Sequence, residues 1–327
     1  MRKIISLLML SCSLLSTQVN ADEYWCFEDG AFSLSGDFLY WKSKQDNLKY
    51  TTQPLPVATS FDFTDSELIS PHSEWKPAYR IVVDYSFANT GWSAELQYTQ
   101  YNGSAHGTEV VSDSEGIFPV LSFASTTLPT DYVTSARSHW RLNTYLLDMI
   151  AVYERCFGDR FALTPTVAIR NTWITQNVHA TYLGGTFSAG PDEVYLESKF
   201  YGIGPRIGLT PSLNLGYGLT LYGEAAGSLL YGWFNVHQNE TFLSVLRDSL
   251  HRQTQGIRWN ADLIAGLKWG YCADECSVIK KYSIDFGADY LYFSDQYAFK
   301  HGAEFVLPTD EEHLTLYGIH VSVGLEF

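Results

Sequence analysis

The feature that most constrains this chain is a strict two-residue alternation, clearest in GIRWNADLIAGLKWGY (256–271). Apolar side chains occupy every second position there, and most of the residues between them are polar or charged. Successive side chains of a β-strand point to opposite faces, so the segment predicts a strand with one apolar face. Trp259 and Trp269 lie near the two ends of that face. Their separation along a tilted strand is about 25 Å, the height of the apolar band of an outer-membrane barrel.

The same alternation recurs along the chain, more weakly in some segments. We predict strands of membrane-spanning length at 31–43, 78–87, 91–101, 137–153, 160–175, 197–210, 217–234, 256–271, 281–293 and 314–327. A half-buried strand of a soluble β-sandwich alternates in the same way, so the alternation alone does not separate a sandwich from a barrel.

The lengths of the connections separate these two folds, because they alternate along the chain. Short connections are predicted at 88–90, 154–159, 211–216 and 271–280, and long ones at 44–77, 102–136, 176–196, 235–254 and 295–312. Outer-membrane barrels have short periplasmic turns and long outer loops, whereas a sandwich has no reason for this asymmetry. We therefore predict an all-β, antiparallel, up-and-down transmembrane barrel of about ten strands. Twelve strands would result if the two longest loops contained a further hairpin.

The N-terminus has the pattern of a secretory signal peptide. Arg2 and Lys3 precede an apolar run that is too short to span a bilayer, and Ala21 ends an A-x-A-like cleavage site. We expect cleavage after Ala21, a single mature barrel domain at 22–327, and a location in the bacterial outer membrane.

Composition limits the partners of such a barrel. Aromatic residues make up 15% of the chain, as expected for strands and for the aromatic girdles at membrane interfaces. The formal net charge is −15, which disfavours a nucleic-acid partner because phosphate binding needs a basic surface. The expected partners are outer-membrane lipid and small solutes or ions. A homo-oligomer and disulfide-linked envelope proteins remain open.

The chain also resembles the Legionella-type major outer membrane protein family, pore-forming barrels that occur in environmental chlamydiae as well. The resemblance covers most of the mature chain, and GIGPRIGL within 199–234 is its most specific part. Further matching segments are GDFLYWKSKQDNLKY (36–50), HWRLNTYLLDM (139–149), FALTPTVAIRNTWITQ (161–176) and the C-terminal strand. The resemblance implies an outer-membrane barrel with porin-like function and no catalytic residues. Ala168 departs from it, since a glycine is expected before the Ile-Arg pair.

Strand parity predicts which charged residues face the lumen. They are Asp37, Arg80, Asp84, Glu95, Asp148, Arg170, Arg206, Glu224, Arg258, Asp262, Lys268, Asp285 and Asp289, together with His320 and Glu326. Mixed charges inside a barrel either pair and brace the wall or line a wet path that selects solutes. Ten strands enclose little free space, so we expect bracing to be the main role and a wide general porin to be excluded.

The predicted outer loops are strongly acidic, and Asp310, Glu311 and Glu312 form the densest part of this rim. An acidic rim concentrates cations at a pore mouth, although solvation alone explains it equally well. We expect a porin-like pore for small solutes or ions that favours cations. A surface adhesin or structural coat barrel is the alternative.

No catalytic activity, cofactor or metal site is expected. An outer-membrane protease is the rival enzyme class, and Glu311 and His313 are the nearest local arrangement. No Asp-x-Asp or Asp-x-His pair accompanies them.

Four cysteines follow the predicted cleavage site: Cys26, Cys156, Cys272 and Cys276. All four fall before the first strand or in predicted periplasmic turns, and the periplasm is oxidising. We therefore expect disulfides, whose connectivity the sequence leaves open; four unrelated thiols are the alternative.

Overall fold

A computed structural model describes residues 30–57, 67–88, 90–122, 132–158, 160–273, 278–296, 299 and 313–327. Ten long strands form the wall of the fold. They are β1 (Phe32–Gln45), β2 (Trp75–Ser86), β3 (Trp92–Val110), β4 (Ser135–Tyr153), β5 (Phe161–Gly184), β6 (Phe187–Gly216), β7 (Leu219–Phe242), β8 (Val245–Cys272), β9 (Lys281–Phe293) and β10 (Leu314–Glu326).

The ten strands close into an antiparallel barrel. Each pairs with its neighbours in sequence, and β10 pairs with β1 from Leu314↔Gln45 to Glu326↔Ser33. Closure leaves no edge in the wall. The prediction of an all-β, up-and-down barrel is therefore confirmed. No helix in the described part of the chain is long and apolar enough to cross a membrane.

Within the described residues no further hairpin widens the barrel, because every wall strand already has two partners. The described parts of the two longest connections contain only two-residue strands. Thr51–Thr52 pairs with Leu68–Ile69, Leu55–Pro56 pairs with Glu115–Gly116, and His72–Ser73 pairs with β3.

The prediction of long loops is wrong for two segments. Residues 176–196 and 235–254 are not loops, because they continue the neighbouring strands and reverse in tight turns at Gly185–Thr186 and Leu243–Ser244. Leu243 and Ser244 both have positive φ, the geometry of a type I′ hairpin turn. The four strands β5 to β8 therefore extend much farther on the outer side than the sequence pattern predicted.

The outward face of the wall is apolar between two aromatic girdles. At the outer girdle, Tyr40 stacks on Trp75 with ring centroids 5.6 Å apart, and Tyr201 stacks on Trp233 at 5.5 Å. At the periplasmic girdle, the Trp92 and Tyr153 rings lie 4.9 Å apart. Exposed Val, Ile, Leu and Phe side chains lie between the girdles. Such a band is typical of a lipid-facing barrel surface.

The tryptophans of the 256–271 segment belong to these girdles. Trp259 packs against Tyr292 in the outer girdle, with ring centroids 4.7 Å apart, and Trp269 packs beside Tyr271 in the periplasmic girdle. Both rings are exposed on the outward face, as strand parity predicts.

Candidate functional site

The barrel interior holds a buried cluster of charged side chains, here called the central network. Its middle is Arg170 on β5, which is 1% exposed. The Arg170 guanidinium donates to both carboxylate oxygens of Asp148, at 2.8 and 2.6 Å, and its Nη1 lies 2.7 Å from Asp262 Oδ2. Asp148 lies directly across from Arg170 on β4, whereas Asp262 reaches it from β8. The pairing therefore crosses the lumen and also links adjacent strands.

Arg206 extends the central network on one side. Its Nε donates to the same oxygen of Asp262 at 3.1 Å, and its Nη2 pairs with Glu224. Asn260 orients Asp262 from the same strand, since its amide donates to Asp262 Oδ1 at 3.0 Å. Asp262 is thus shared by two arginines and is fully engaged.

Arg80 forms the other side of the network. Its guanidinium lies 3.2 Å from Asp37 and 3.5 Å from Asp289. Asp289 Oδ2 also accepts from Trp41 Nε1 at 3.1 Å and lies 3.0 Å from His320 Nδ1. Four strands, β1, β2, β9 and β10, are joined through this one carboxylate.

His320 links Asp289 to the periplasmic side of the network. Its Nε2 lies 3.6 Å from Asp285 Oδ1 and 3.2 Å from the hydroxyl of Tyr222, which donates to Asp285. The network therefore runs from the periplasmic end of the interior to its middle, with charges of both signs in contact throughout.

The outer half of the interior is filled by apolar side chains, here called the outer core. Its members include Leu39, Trp41, Tyr101, Trp140, Leu142, Ile174, Val178, Phe200, Phe234, Leu291, Phe293 and Leu316, all nearly inaccessible to solvent. Phe200 and Phe234 pack with ring centroids 4.6 Å apart. Trp140 Nε1 donates to Gln176, whose amide in turn donates to the carbonyl of Gln296. The outer core closes the lumen above the central network.

Segments from the two longest connections fold inward and complete the outer core. Tyr50 and Leu121 are buried there, and both are held by Tyr182. The Tyr182 hydroxyl donates to the Tyr50 carbonyl at 2.8 Å and accepts from the Leu121 backbone N–H at 3.2 Å. Burial, and then the charge of Glu109, raises the pKa of the Tyr50 phenol to about 12.

A carboxylate pair lies at the outermost end of the interior. Asp192 and Glu240 are both fully buried, and Arg247 Nη1 lies 3.7 and 3.8 Å from them. Ser122 donates to Glu240 at 2.9 Å and so ties an inward-folded segment to β7. Asp192 lies far beyond the outer girdle, outside the lipid-facing band. Burial, and then the charge of Glu240, raises the pKa of Asp192 to about 7.

The periplasmic end of the interior is open and lined by charged side chains. A cavity of about 490 Å³ lies there, and Lys268, Lys281, Glu154, Asp285 and Glu326 contribute to its lining. Tyr222 lies at its inner end, where the central network begins. The interior thus has three zones in series: an open vestibule, the central network and the outer core.

The predicted lumen residues fall in these zones as follows. Asp37, Arg80, Asp148, Arg170, Arg206, Glu224, Asp262, Asp285, Asp289 and His320 belong to the central network. Asp84 and Glu95 are half-buried and lie across from each other on β2 and β3. Lys268 faces the vestibule, as does Glu326.

Arg258 lies apart from the network. Its Nε donates to the carbonyl of Asp295 at 3.2 Å, and its guanidinium lies over the Phe234 ring at 5.4 Å. It therefore borders the outer core, whereas Asp262 pairs with Arg170 and Arg206.

Several predicted residues lie outside the described part of the chain: the signal segment 1–21, the acidic rim Asp310, Glu311 and Glu312, and Cys26 and Cys276. Cys156 is in the short strand Arg155–Phe157, and Cys272 ends β8, so both lie at the periplasmic end. The expected disulfides stay a prediction.

Parity reasoning missed three neutral members of the network, Trp41, Tyr222 and Asn260. Each shares an inward face with a charged residue that was predicted, such as Asp37 on the strand of Trp41. Each also carries a hydrogen-bonding group on its side chain. These two signals together would have identified them.

Comparison with solved structures finds other outer-membrane proteins at low identity. The outer membrane protease OmpT from Escherichia coli is 8% identical, with 94% of this chain and 99% of that chain covered and a TM-score of 0.41. A major outer membrane protein from Thermus thermophilus is 10% identical, with 92% and 100% covered and a TM-score of 0.34. The toluene transporter TodX from Pseudomonas putida is 10% identical, with 91% and 89% covered and a TM-score of 0.31.

Comparison with protein families finds one match that spans nearly the whole chain. The family described as Legionella pneumophila major outer membrane protein precursor matches residues 26–327. No curated protein matches the sequence. The resemblance seen in the GIGPRIGL region and the other quoted segments is confirmed.

Proposed function

The chain belongs to the family of the Legionella pneumophila major outer membrane protein, and on that premise we propose that it is a narrow, normally closed pore for small ions. Its location is the bacterial outer membrane. The pore proposal rests above all on the central network. Buried ion pairs contribute little net stability compared with well-packed apolar residues, so a barrel that needed only filling would have no use for them.

The open vestibule supports the proposal from the periplasmic side. A cavity of about 490 Å³ extends inward as far as Tyr222 and Asp285. Ions that enter there meet side chains already arranged to exchange partners, because Asp262 and Asp289 each bridge several groups. The path would then continue through the outer core, where an apolar constriction gates by excluding water.

Cation preference is part of the same proposal. In the central network, the carboxylates of Asp37, Asp148, Asp262, Asp285, Asp289 and Glu224 outnumber the guanidinium groups of Arg80, Arg170 and Arg206. An interior with excess negative charge attracts cations and repels anions. The acidic rim, Asp310, Glu311 and Glu312, would add to this effect at low salt, where the Debye length is about 30 Å.

Opening requires the inward-folded segments to leave the outer core. Tyr182 holds two of them through one hydroxyl, so we propose that it is a gate-holding residue. Tyr182→Phe removes that hydroxyl while it keeps the ring. Tyr195→Phe is the matched control, because the Tyr195 side chain is exposed on the outward face, stacked on His179.

The test is single-channel recording of the purified barrel in a planar lipid bilayer under a salt gradient. We expect rare, small conductance steps with a reversal potential that favours cations. Tyr182→Phe should increase the open time several-fold, and Tyr195→Phe should leave it unchanged. Glu224→Gln should reduce cation preference at all salt concentrations, whereas joint neutralisation of the acidic rim should reduce it only at low salt.

A closed surface barrel, acting as an adhesin or structural coat, is the second candidate. The filled outer half of the interior favours it, since a barrel without a transport role has no need to open. A folded protein that never conducts, as wild type or as Tyr182→Phe, supports this candidate and overturns the pore. We propose no catalytic role in either case.

A further inference from the structure

The outer extensions of β7 and β8 carry a pair of histidines that the pore does not use. His237 and His251 are on the outward face of these strands, in the same parity as the girdle residue Trp233. His237 lies four residues beyond Trp233, or about 13 Å at the usual rise per residue. Both side chains are exposed, so they face water above the lipid-facing band.

The two imidazoles face each other across the strand pair. His237 and His251 are direct register partners, with ring centroids 4.2 Å apart and planes inclined by 38°. Their Nδ1 atoms lie 3.1 Å apart. Two nitrogens bound to one tetrahedral Zn²⁺, each at 2.0–2.1 Å, are separated by about 3.3 Å. The pair is therefore within about 0.2 Å of the spacing that a metal ion requires.

The surroundings of the pair suit a cation. Glu197 on β6 is the register partner of His237 on its other side, and it brings a carboxylate that pairs with Lys199 at 2.9 Å. The side-chain amide nitrogen of Gln253 lies 3.5 Å from His251 Nε2. That contact is too long to hold the proton of His251 on one ring nitrogen, so metal binding can select the tautomer whose Nδ1 lone pair is free.

A second histidine pair on the same surface has a different environment. His106 and His139 are register partners on β3 and β4, also with centroids 4.2 Å apart. Their Nδ1 atoms are only 2.6 Å apart, and Arg141 Nε donates to His139 Nε2 at 2.7 Å. That bond places the proton of neutral His139 on Nδ1, between the two rings, and adds a positive charge beside them. His106 and His139 are therefore joined by a hydrogen bond, and their Nδ1 atoms are not both free to bind a metal ion.

We propose that His237 and His251 form a surface site for a divalent transition metal ion, with Zn²⁺ as the reference ion. Imidazole nitrogen is a good ligand for Zn²⁺, Cu²⁺ and Ni²⁺. The described residues contain no group of three or more His, Cys, Asp or Glu side chains arranged to hold a metal. The site therefore has two protein ligands, and water completes the coordination.

The test uses the full-length protein, isolated without a polyhistidine tag and folded in detergent micelles. Zn²⁺ is titrated by calorimetry, and Cu²⁺ is followed by electron paramagnetic resonance, which resolves coupling to coordinated nitrogens. We expect one saturable equivalent per chain and a copper spectrum with two nitrogen couplings. His237→Gln and His251→Gln should each weaken Zn²⁺ binding at least ten-fold, because each leaves a single imidazole.

His106→Gln and His139→Gln are the matched controls, since they alter a cross-strand histidine pair with the same ring separation. Both should bind Zn²⁺ like the wild type. Heat-modified migration on gels shows that each variant is folded, and no variant lies in the central network or the outer core. Equal loss in both pairs of variants, or an unchanged Zn²⁺ equivalent in His237→Gln, would overturn the site. A wild type without saturable binding would do the same.

Discussion

The two halves of the barrel interior are filled by opposite chemistry. In the half nearer the periplasm, Arg80, Arg170 and Arg206 are buried among carboxylates. In the outer half, Trp140 and Phe200 are buried among apolar side chains. The wall is the same in both halves, with inward and outward residues alternating on the same strands. The structure of the wall therefore does not explain why one half is filled by charged side chains and the other by apolar ones. We attribute this difference to different functions of the two halves.

Physical chemistry explains the outer half more easily than the inner half. A fully buried aliphatic or aromatic side chain contributes about 1.5–3 kcal/mol, whereas a buried ion pair about breaks even after desolvation. The outer core begins at the level of the outer girdle and includes inward-folded segments, so apolar packing is what holds them in place. The central network lies within the band, where stability alone would favour apolar filling. Its charges are better explained by a wet path than by strength.

The largest effect should come from removing the middle of the central network. Arg170→Met leaves Asp148 and Asp262 buried with their strongest partner gone, and an uncompensated buried charge costs about 3–5 kcal/mol. We expect the free energy of unfolding to fall by that amount in urea titrations followed by tryptophan fluorescence. Lys199→Met, which breaks the exposed pair with Glu197, should change it by less than about 1 kcal/mol. Equal effects would remove the distinction between buried network and surface pairs.

The next largest effect should come from the outer core. Trp140→Ala creates a cavity in a fully buried site and leaves Gln176 without its donor, so we expect a loss of roughly 3–4 kcal/mol. The same variant should raise the frequency of channel opening, because it thins the apolar barrier. Arg170→Met should not raise it in the same way. An outer-core cavity that leaves the closed state undisturbed would contradict the assignment of the gate to this half.

A smaller effect should come from overfilling the outer core. Gly232 faces Phe200, and a Cβ there would lie 2.1 Å from the Phe200 ring. Gly232→Ala should therefore displace the ring and cost about 1–3 kcal/mol. Gly36→Ala is the control, since nothing lies within 4 Å of the corresponding Cβ, and we expect no loss there. The measurement is the urea midpoint of unfolding of each variant. Similar midpoints for Gly232→Ala and Gly36→Ala would indicate that the outer half is loosely packed.

The sequence predicted the wall well, because a lipid-facing surface demands an unbroken apolar face. The ten strands and the outward positions of Trp259 and Trp269 follow from that demand alone. The sequence-based prediction fails beyond the lipid-facing band, where the outward face no longer has to be apolar. In 177–182, beyond the girdle, the apolar residues Val178, Ala180 and Tyr182 point inward and the outward ones are polar. The alternation reverses its sense there, and the reversal was interpreted as the end of a strand.

The contacts inside the lumen were less predictable than the faces. Parity indicated that Asp262 points inward, but it did not indicate which groups Asp262 contacts. Its partners are Arg170 and Arg206, which lie on strands β5 and β6. Contacts across a closed lumen depend on the stagger of all the strands around the ring, which no local pattern encodes. The filling of the outer core by the longest loops depends on the same closure.

The smallest effect, and the one that most sharpens the comparison between the two halves, concerns Asp192. This buried carboxylate lies in the otherwise apolar outer half. The pKa of Asp192 is raised to about 7 from an ordinary value of 3.8, mainly by burial and then by Glu240. The folded protein thus binds this proton more tightly than the unfolded chain, so the contribution of Asp192 to stability is present at low pH and falls as pH rises toward 7.

Asp192→Asn imitates the protonated state at every pH. It should raise the free energy of unfolding at pH 8, because wild-type Asp192 must then ionise while it is buried beside Glu240. The gain should shrink at pH 5, where wild-type Asp192 is itself protonated. Asp113→Asn, on an exposed loop position, should have no such pH-dependent effect. A gain that is equal at both pH values would mean that Asp192 is ionised in the folded protein, and that the outer half tolerates buried charge as readily as the central network does.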